Sequence, residues 1–349
     1  MMSFRDGRLT RLSLPTAAVW LIGDIMEVKG RQDLYVRQSP DLLRALREMA
    51  LIQSVESSNR IEGVTVDPSR LRPLVLGNAK PKDRSEVEIR GYRRALSLIH
   101  TNAPALTVTP GLLRRLHKII QDGAGDAGTW KRTDNDIVEL AAGQPPRVRF
   151  TPTAASATPH AIDELCMRYR AALDQEQVPP LLAGAAAVFD FLCIHPFRDG
   201  NGRVSRLLTL LLLYQHGFEV GRYISLDRIV EEEKARYYDA LQASSQGWHE
   251  GRHDLEPWLL YLLSVLRSAS LQFQDRAGRL RAPRGAKGAL VEDAIESFLG
   301  TFTLSQIEHA CPGVSRDMIR AVLKRLSQDG RVQCLARGPG AAWERVEKG

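Results

Sequence analysis

Between Ile194 and Arg206 the chain reads I-H-P-F-R-D-G-N-G-R-V-S-R, a short stretch that gathers the groups needed to act on a phosphate. His195 titrates near neutrality and can take a proton from an attacking hydroxyl. Asp199 offers a hard oxygen ligand, suited to Mg²⁺ held between one carboxylate and nucleotide phosphates. Gly200 and Gly202 let an anion approach the backbone closely, and a helix beginning near Asn201 would turn its free amides and dipole toward that anion. Arg203 and Arg206 stand three residues apart, so both can project from one face of the first turns and present rigid donor forks. The competing reading is a buried helical hairpin whose polar loop merely satisfies two helix ends.

The elements that must position these groups are legible on either side. Leu181 to Ile194 is nearly all apolar, and Pro196 disfavours an α conformation for His195, so the helix ends beside the loop. Downstream, Val204, Leu207, Leu208, Leu210, Leu211 and Leu212 form a buried helical segment that Gly217 can terminate.

His195 to Arg206 resembles the H-P-F-x-D/E-G-N-G-R-x-x-R motif of Fic-domain proteins, with every defining position present. The resemblance implies a protein adenylyltransferase. The histidine deprotonates a Ser, Thr or Tyr hydroxyl of a protein, the hydroxyl attacks the α-phosphate of ATP, and pyrophosphate leaves. It makes His195 the base and Asp199 the Mg²⁺ ligand. The nucleotide then rests on Phe197, Arg198, Gly200, Asn201, Gly202, Arg203 and Arg206, with Arg206 at the γ-phosphate. Implied cofactors are ATP and Mg²⁺. The residue chemistry agrees with these roles without itself choosing the α-phosphate.

A second phrase, E56-S-S-N-R-I-E-G63, places Ser58 and Glu62 at i,i+4, with Gly63 ready to end a helix. Alone it is an ordinary helix terminus. Beside the first motif it resembles the S/T-x-x-x-E-G/N inhibitory motif of Fic proteins, in which the glutamate reaches the last arginine and obstructs the γ-phosphate. A carboxylate can pair with the guanidinium that a productive nucleotide needs. The resemblance also admits a part for Glu62 in removing AMP.

The expected fold is mainly α: a Fic-type helical bundle with a short β-hairpin flap, plus a C-terminal winged helix-turn-helix domain. Residues 1–127 form the N-terminal helical part, 128–271 the flap and catalytic core, 272–287 a basic linker, and 288–349 the winged helix. Short apolar packing elements are expected over 1–38. Ser39 caps a helix that begins at Pro40 and runs through Ser57. Residues 78–86 read as a loop, 88–99 and 110–120 as helices, and Thr109-Pro110 as a cap with a first-turn proline. In 128–150, Ile137, Val138 and Leu140 against Val148 and Phe150 give the flap. There the resemblance lays a protein substrate by strand addition, with Lys131 and Arg132 as further bases near the site. Helices follow over 161–173, 226–244 and 256–271, with Tyr237, Tyr238, Trp258 and Tyr261 as core or groove residues.

Beyond the linker, helices over 289–299, 304–310 and 315–327 precede a hairpin of 332–335 and 341–346 around Gly338-Pro339-Gly340. Arg316, Arg320, Lys324 and Arg325 give the third helix a basic side, a DNA-binding expectation. The same charges also suit a solvated surface. A DNA-binding regulator with a nucleotide-sensing Fic-like part, or transfer of another phosphate-containing group, therefore stays open. Self-modification and a homodimer are the remaining partner expectations.

Composition sets bounds. A formal charge of +7 on 349 residues attracts anions without naming one. Cys166, Cys193, Cys311 and Cys334 lack the close spacing of a metal knuckle or disulfide framework. No apolar run reaches the roughly 18 residues of a membrane span, and no export signal stands out, so a cytoplasmic protein away from membranes is expected. Walker, dinucleotide-binding and H-E-x-x-H motifs are missing, which leaves the histidine loop to serve any nucleotide chemistry.

Overall fold

The computed structural model describes residues 1–38, 40–139, 147–176, 178–279, 286–298, 300–335 and 341–346. The helices are α1 (Thr16–Gln38), α2 (Pro40–Ile61), α3 (Pro68–Val75), α4 (Arg84–Asn102) and α5 (Pro110–Ile120), then α6 (Thr158–Asp174), α7 (Pro180–Ile194) and α8 (Asn201–Gln215). They continue as α9 (Leu226–Glu232), α10 (Lys234–Ser245), α11 (Glu256–Arg279), α12 (Ala286–Ser297), α13 (Leu304–Ala310) and α14 (Arg316–Gln328). The strands are β1 (Ile137–Glu139), β2 (Arg147–Phe150), β3 (Phe302–Thr303), β4 (Val332–Cys334) and β5 (Ala342–Arg345). The fold is thus mainly helical, with a small β-hairpin and a C-terminal region of helices and strands.

Helix α7 is the hub. Every residue from Leu182 to Ile194 is buried, as an all-round apolar helix requires. It packs against α6, α8 and α11, while α8 also meets α4 and α5. Helix α2 lies across α4 and α9, so its C-terminal end arrives beside the start of α8. Strands β1 and β2 pair antiparallel, Ile137 with Phe150 and Val138 with Val148, across a bulge. Val138 and Val148 both point to solvent. The expected flap residue Leu140 lies outside the described residues, as do Ser39, Leu299 and the Gly338-Pro339-Gly340 turn.

Several helices run differently from the sequence reading. Residues 16–38 form one long helix instead of short elements, and among its described side chains only Ala18, Ile25 and Val28 are buried against its neighbours. So narrow a stripe, interrupted by exposed Val19 and Trp20, hides the helical period. Helix α4 begins at Arg84, inside the expected loop, because Asp83 caps the Glu86 amide at 2.9 Å. The expected helix over 226–244 is two, broken at Glu233. Helix α11 carries on through residues 272–279, the first half of the stretch read as a linker; 280–285 lie outside the described residues.

The C-terminal region has its own core of Val291, Ile295, Phe302, Ile307, Ile319, Val322, Leu323 and Leu326. Its three strands form an antiparallel sheet in the order β3-β5-β4. It rests on α2 and α3: Arg72 donates to the Pro312 carbonyl at 2.9 Å, Lys287 meets Glu48 at 3.4 Å, and Gly313 touches the Met49 backbone.

Candidate active site

The loop from His195 to Gly200 is held by its own side chains. Asn201 Oδ1 accepts the Phe197 amide at 2.9 Å, and Asn201 Nδ2 donates to the Phe197 carbonyl at 2.8 Å. Its amide is therefore consumed in closing the loop, and Asn201 shapes the expected phosphate nest rather than reaching into it. Phe197 is buried and stacks on His117, ring centroids 3.8 Å apart at 6°. Gly200, at φ +78°, starts α8.

His195 itself is a left-handed residue, φ 50° and ψ 61°, a conformation uncommon outside glycine. The avoidance of α that Pro196 imposes is met in this way. The ring is half-buried. Nδ1 lies 3.4 Å from the Leu192 carbonyl, which can only accept, so Nδ1 carries the hydrogen and Nε2 keeps its lone pair. Burial first, and the Lys131 ammonium second, push its pKa down to about 4. The imidazole is neutral at pH 7.

Asp199 has a half-exposed side chain. Oδ1 accepts the Gly200 amide at 2.6 Å and Oδ2 accepts Gln121 Nε2 at 3.1 Å. Against the opposing effect of burial, these bonds and Arg203 hold its pKa below the ordinary carboxylate value. An ionised carboxylate with one open side fits a magnesium ion that keeps its waters and shares phosphate oxygens. No group of three or more His, Cys, Asp or Glu side chains among the described residues forms an all-protein cage.

The two arginines of α8 part company. Arg203 is buried and donates to Glu88 Oε2 at 2.6 Å and to Asn59 Oδ1 at 3.4 Å. Its Nη2 also lies 3.7 Å from Asp199 Oδ2. Arg206 Nε donates to Ser58 Oγ at 2.7 Å, and its Nη2 to the Ser58 carbonyl at 2.9 Å and Glu62 Oε1 at 2.7 Å. Asp227 Oδ1 lies 3.5 Å from the same Nε, while Nη1 is buried with no partner. Arg198 extends into solvent and pairs with Asp126 at 2.9 Å, away from this cluster.

Ser58 and Glu62 are delivered by the last turn of α2. Gly63, at φ +80°, ends it with a Schellman pattern, Val64 N–H to Asn59 O and Gly63 N–H to Arg60 O, each 3.0 Å. A methyl group at Gly202 would collide with Glu62 Oε1. The bare backbone at Gly202 is what admits this carboxylate to the mouth of α8. Glu62, His195, Gly202 and Arg206 then share a cavity of about 210 Å³ with Ile137, Phe150, Tyr237, Tyr238 and Leu241.

Several residues here escaped the sequence reading. Asn59 and Glu88 complete the Arg203 site. His117 and Gln121, i,i+4 on α5, brace the loop from below: the Gly128 amide donates to His117 Nδ1 at 2.9 Å, and His117 Nε2 donates to the Asp199 carbonyl at 3.1 Å. Burial pushes the His117 pKa down to about 4. The helical spacing of His117 and Gln121 was a usable signal; nothing local marks Glu88. Arg132 is exposed. Arg316, Arg320, Lys324 and Arg325 are exposed on α14, far in sequence from the loop, and Arg316 pairs with Glu308, Arg320 with Asp317 and Arg325 with Glu292.

Residues 107–213 match the Fic/DOC family. That stretch resembles a Fic domain. It is 27% identical over 231 residues to the protein adenylyltransferase Fic of Culex quinquefasciatus, covering 63% of this chain and 41% of that protein. The corresponding protein of Drosophila grimshawi is 25% identical over 237 residues, covering 65% and 44%. The chain thus spans less than half the length of these curated relatives. In fold it is similar to a Fic family protein from Desulfovibrio desulfuricans G20, with a TM-score of 0.60 at 20% identity over 97% of this chain and 98% of that one. The family match includes the histidine loop and excludes Ser58 and Glu62.

Proposed function

We propose that this Fic-domain chain is an autoinhibited protein adenylyltransferase, moving AMP from Mg-ATP to a Ser, Thr or Tyr hydroxyl of a protein, with removal of AMP as its reverse capacity. The observation that carries the reading is the seat of Glu62: a carboxylate at the amide-rich start of α8, on Arg206, beside a neutral histidine. A helix start with a bare glycine and a buried arginine is an anion site, and the protein fills it with its own anion.

His195 Nε2 takes the proton of the target hydroxyl as its oxygen bonds to the α-phosphorus, and the bond to the pyrophosphate oxygen breaks. Arg206, with Nη1 still to be satisfied, holds the phosphate tail once Glu62 withdraws. Asp199 would hold a magnesium ion, which would supply positive charge against the phosphates. The apolar wall of Tyr237, Tyr238 and Leu241 suits a purine, with Gln242 as its polar contact. With Glu62 in place the cavity of about 210 Å³ falls short of the roughly 300 Å³ at the lower end of small-molecule sites. The β1–β2 edge, carrying exposed Val138 and Val148, receives the target strand. The decisive experiment incubates wild type, Glu62→Gly and His195→Ala with labelled ATP and magnesium. Label transfer rises in the first variant and vanishes in the second. Mass spectrometry of the modified hydroxyl separates AMP from UMP, phosphate or phosphocholine.

The exposed basic side of α14 favours a second reading, in which 288–349 act as a winged helix on DNA and the Fic domain senses nucleotide. Salt-dependent DNA binding that survives His195→Ala and is lost in Arg316→Ala/Arg320→Ala supports it. Self-modification, a homodimer and a cytoplasmic location are part of the same proposal; no helix among the described residues is long and apolar enough to cross a membrane.

A further inference from the structure

Lys131 is a buried lysine beside the catalytic loop, on the segment just before the flap. Its Nζ donates to the Ile194 carbonyl at 3.3 Å and to Asn135 Oδ1 at 3.0 Å, and its backbone N–H donates to the Pro196 carbonyl at 2.8 Å. One residue therefore grips the chain on both sides of His195. The residue between the grips has the left-handed conformation that side chains adopt reluctantly. Ile194 is also the last residue of α7, where carbonyls lack helical partners and a cation is favoured. Trp130 leans on Phe197, with centroids 4.9 Å apart, so the same segment walls the loop.

Burying an ammonium among neutral oxygens is costly, and here the bill falls on its proton affinity: burial pushes the pKa down to about 8, with Asp134 opposing only weakly. We propose that Lys131 is the positioning residue of His195, fixing its left-handed turn so that Nε2 faces the cavity and placing a positive charge near the imidazole. The second half of this inference rests on His195 being the base. Other charged or titratable groups facing the imidazole are Glu62 from α2, Asp199 from the loop, Arg206 from α8, Arg149 from β2, and Tyr237 and Tyr238 from α10. Glu62 and Asp199 favour protonation, so Lys131 is a counterweight to them.

The test uses the full chain with Glu62→Gly, so that inhibition does not mask the effect. Lys131→Met lowers kcat by on the order of 100-fold, as a misplaced reacting group does, while KM for ATP stays within about twofold. The acid limb of the pH profile moves to higher pH, because an imidazole without the neighbouring cation protonates earlier. Lys131→Arg, which keeps the charge, restores both. Asn135→Ala, which frees the ammonium without removing it, gives a smaller loss in the same direction. Histidine NMR titration of the same variants reads the His195 ring directly and needs no turnover. An unchanged His195 titration in Lys131→Met, or a fall in kcat that Lys131→Arg does not rescue, overturns the inference. If Glu62→Gly itself transfers nothing, the adenylyltransferase reading fails, and the NMR titration still decides the role of Lys131.

Discussion

The start of α8 and the outer face of α14 both present arginines near the beginning of a helix, yet they differ in what those arginines can do. On α8, Arg203 and Arg206 are 1% and 7% exposed and locked to acids from α4 and α2. On α14, Arg316 and Arg320 are more than half exposed, with acidic neighbours that solvent screens. Burial and partner, more than residue type, decide whether a guanidinium holds a fold, works on a substrate, or keeps a surface wet.

Substitutions can break or sharpen that contrast. The largest expected effect is on catalysis: in the Glu62→Gly background, Arg206→Ala lowers kcat/KM for ATP by roughly 100-fold or more, the scale for losing one preorganised charge contact at a transition state. Arg203→Met should act on stability instead. It takes from Glu88 its buried partner and leaves only the exposed Arg84 at 3.0 Å, and urea unfolding should report a loss of up to about 3 kcal/mol, most of it recovered when Glu88→Leu is added. Were Arg203→Met to fold normally and lose ATP binding, the division between the two arginines would fail.

The next effect is acid sensitivity. His117 has a folded-state pKa near 4, below the ordinary 6.5, so the unfolded chain binds more protons between those values. Its contribution is complete above about pH 6.5 and is lost as pH falls toward 4. Stability measured at pH 7 and pH 5 should fall on acidification, and His117→Gln should flatten the slope. An equal slope in that variant would remove His117 from the account. Smallest of all, Arg316→Ala and Arg320→Ala should change stability by less than about 0.5 kcal/mol each and leave label transfer unaltered.

The histidine loop was readable because its constraints are local: Pro196 after the histidine, glycines where backbone must be bare, and two arginines three residues apart. The meeting of Glu62 with Arg206 was readable only through resemblance, since 144 residues separate them. Spacing within α8 could not reveal that Arg203 turns toward Glu88, because helical geometry gives a face and not the acid opposite it. Helix α1 was missed for the complementary reason, having too few buried positions to show a period. The Asp83 cap was missed among charged neighbours that looked like loop.

One missing methyl group has a wider consequence. At Gly202 the absence of a side chain makes room for the Glu62 carboxylate, and under the proposed function the same hollow takes the phosphate chain. Under that proposal blocker and fuel compete for a single vacancy, so a side chain at residue 202 would weaken restraint and reaction together. Adjustment must come from α2, on whose far stretch the C-terminal region rests.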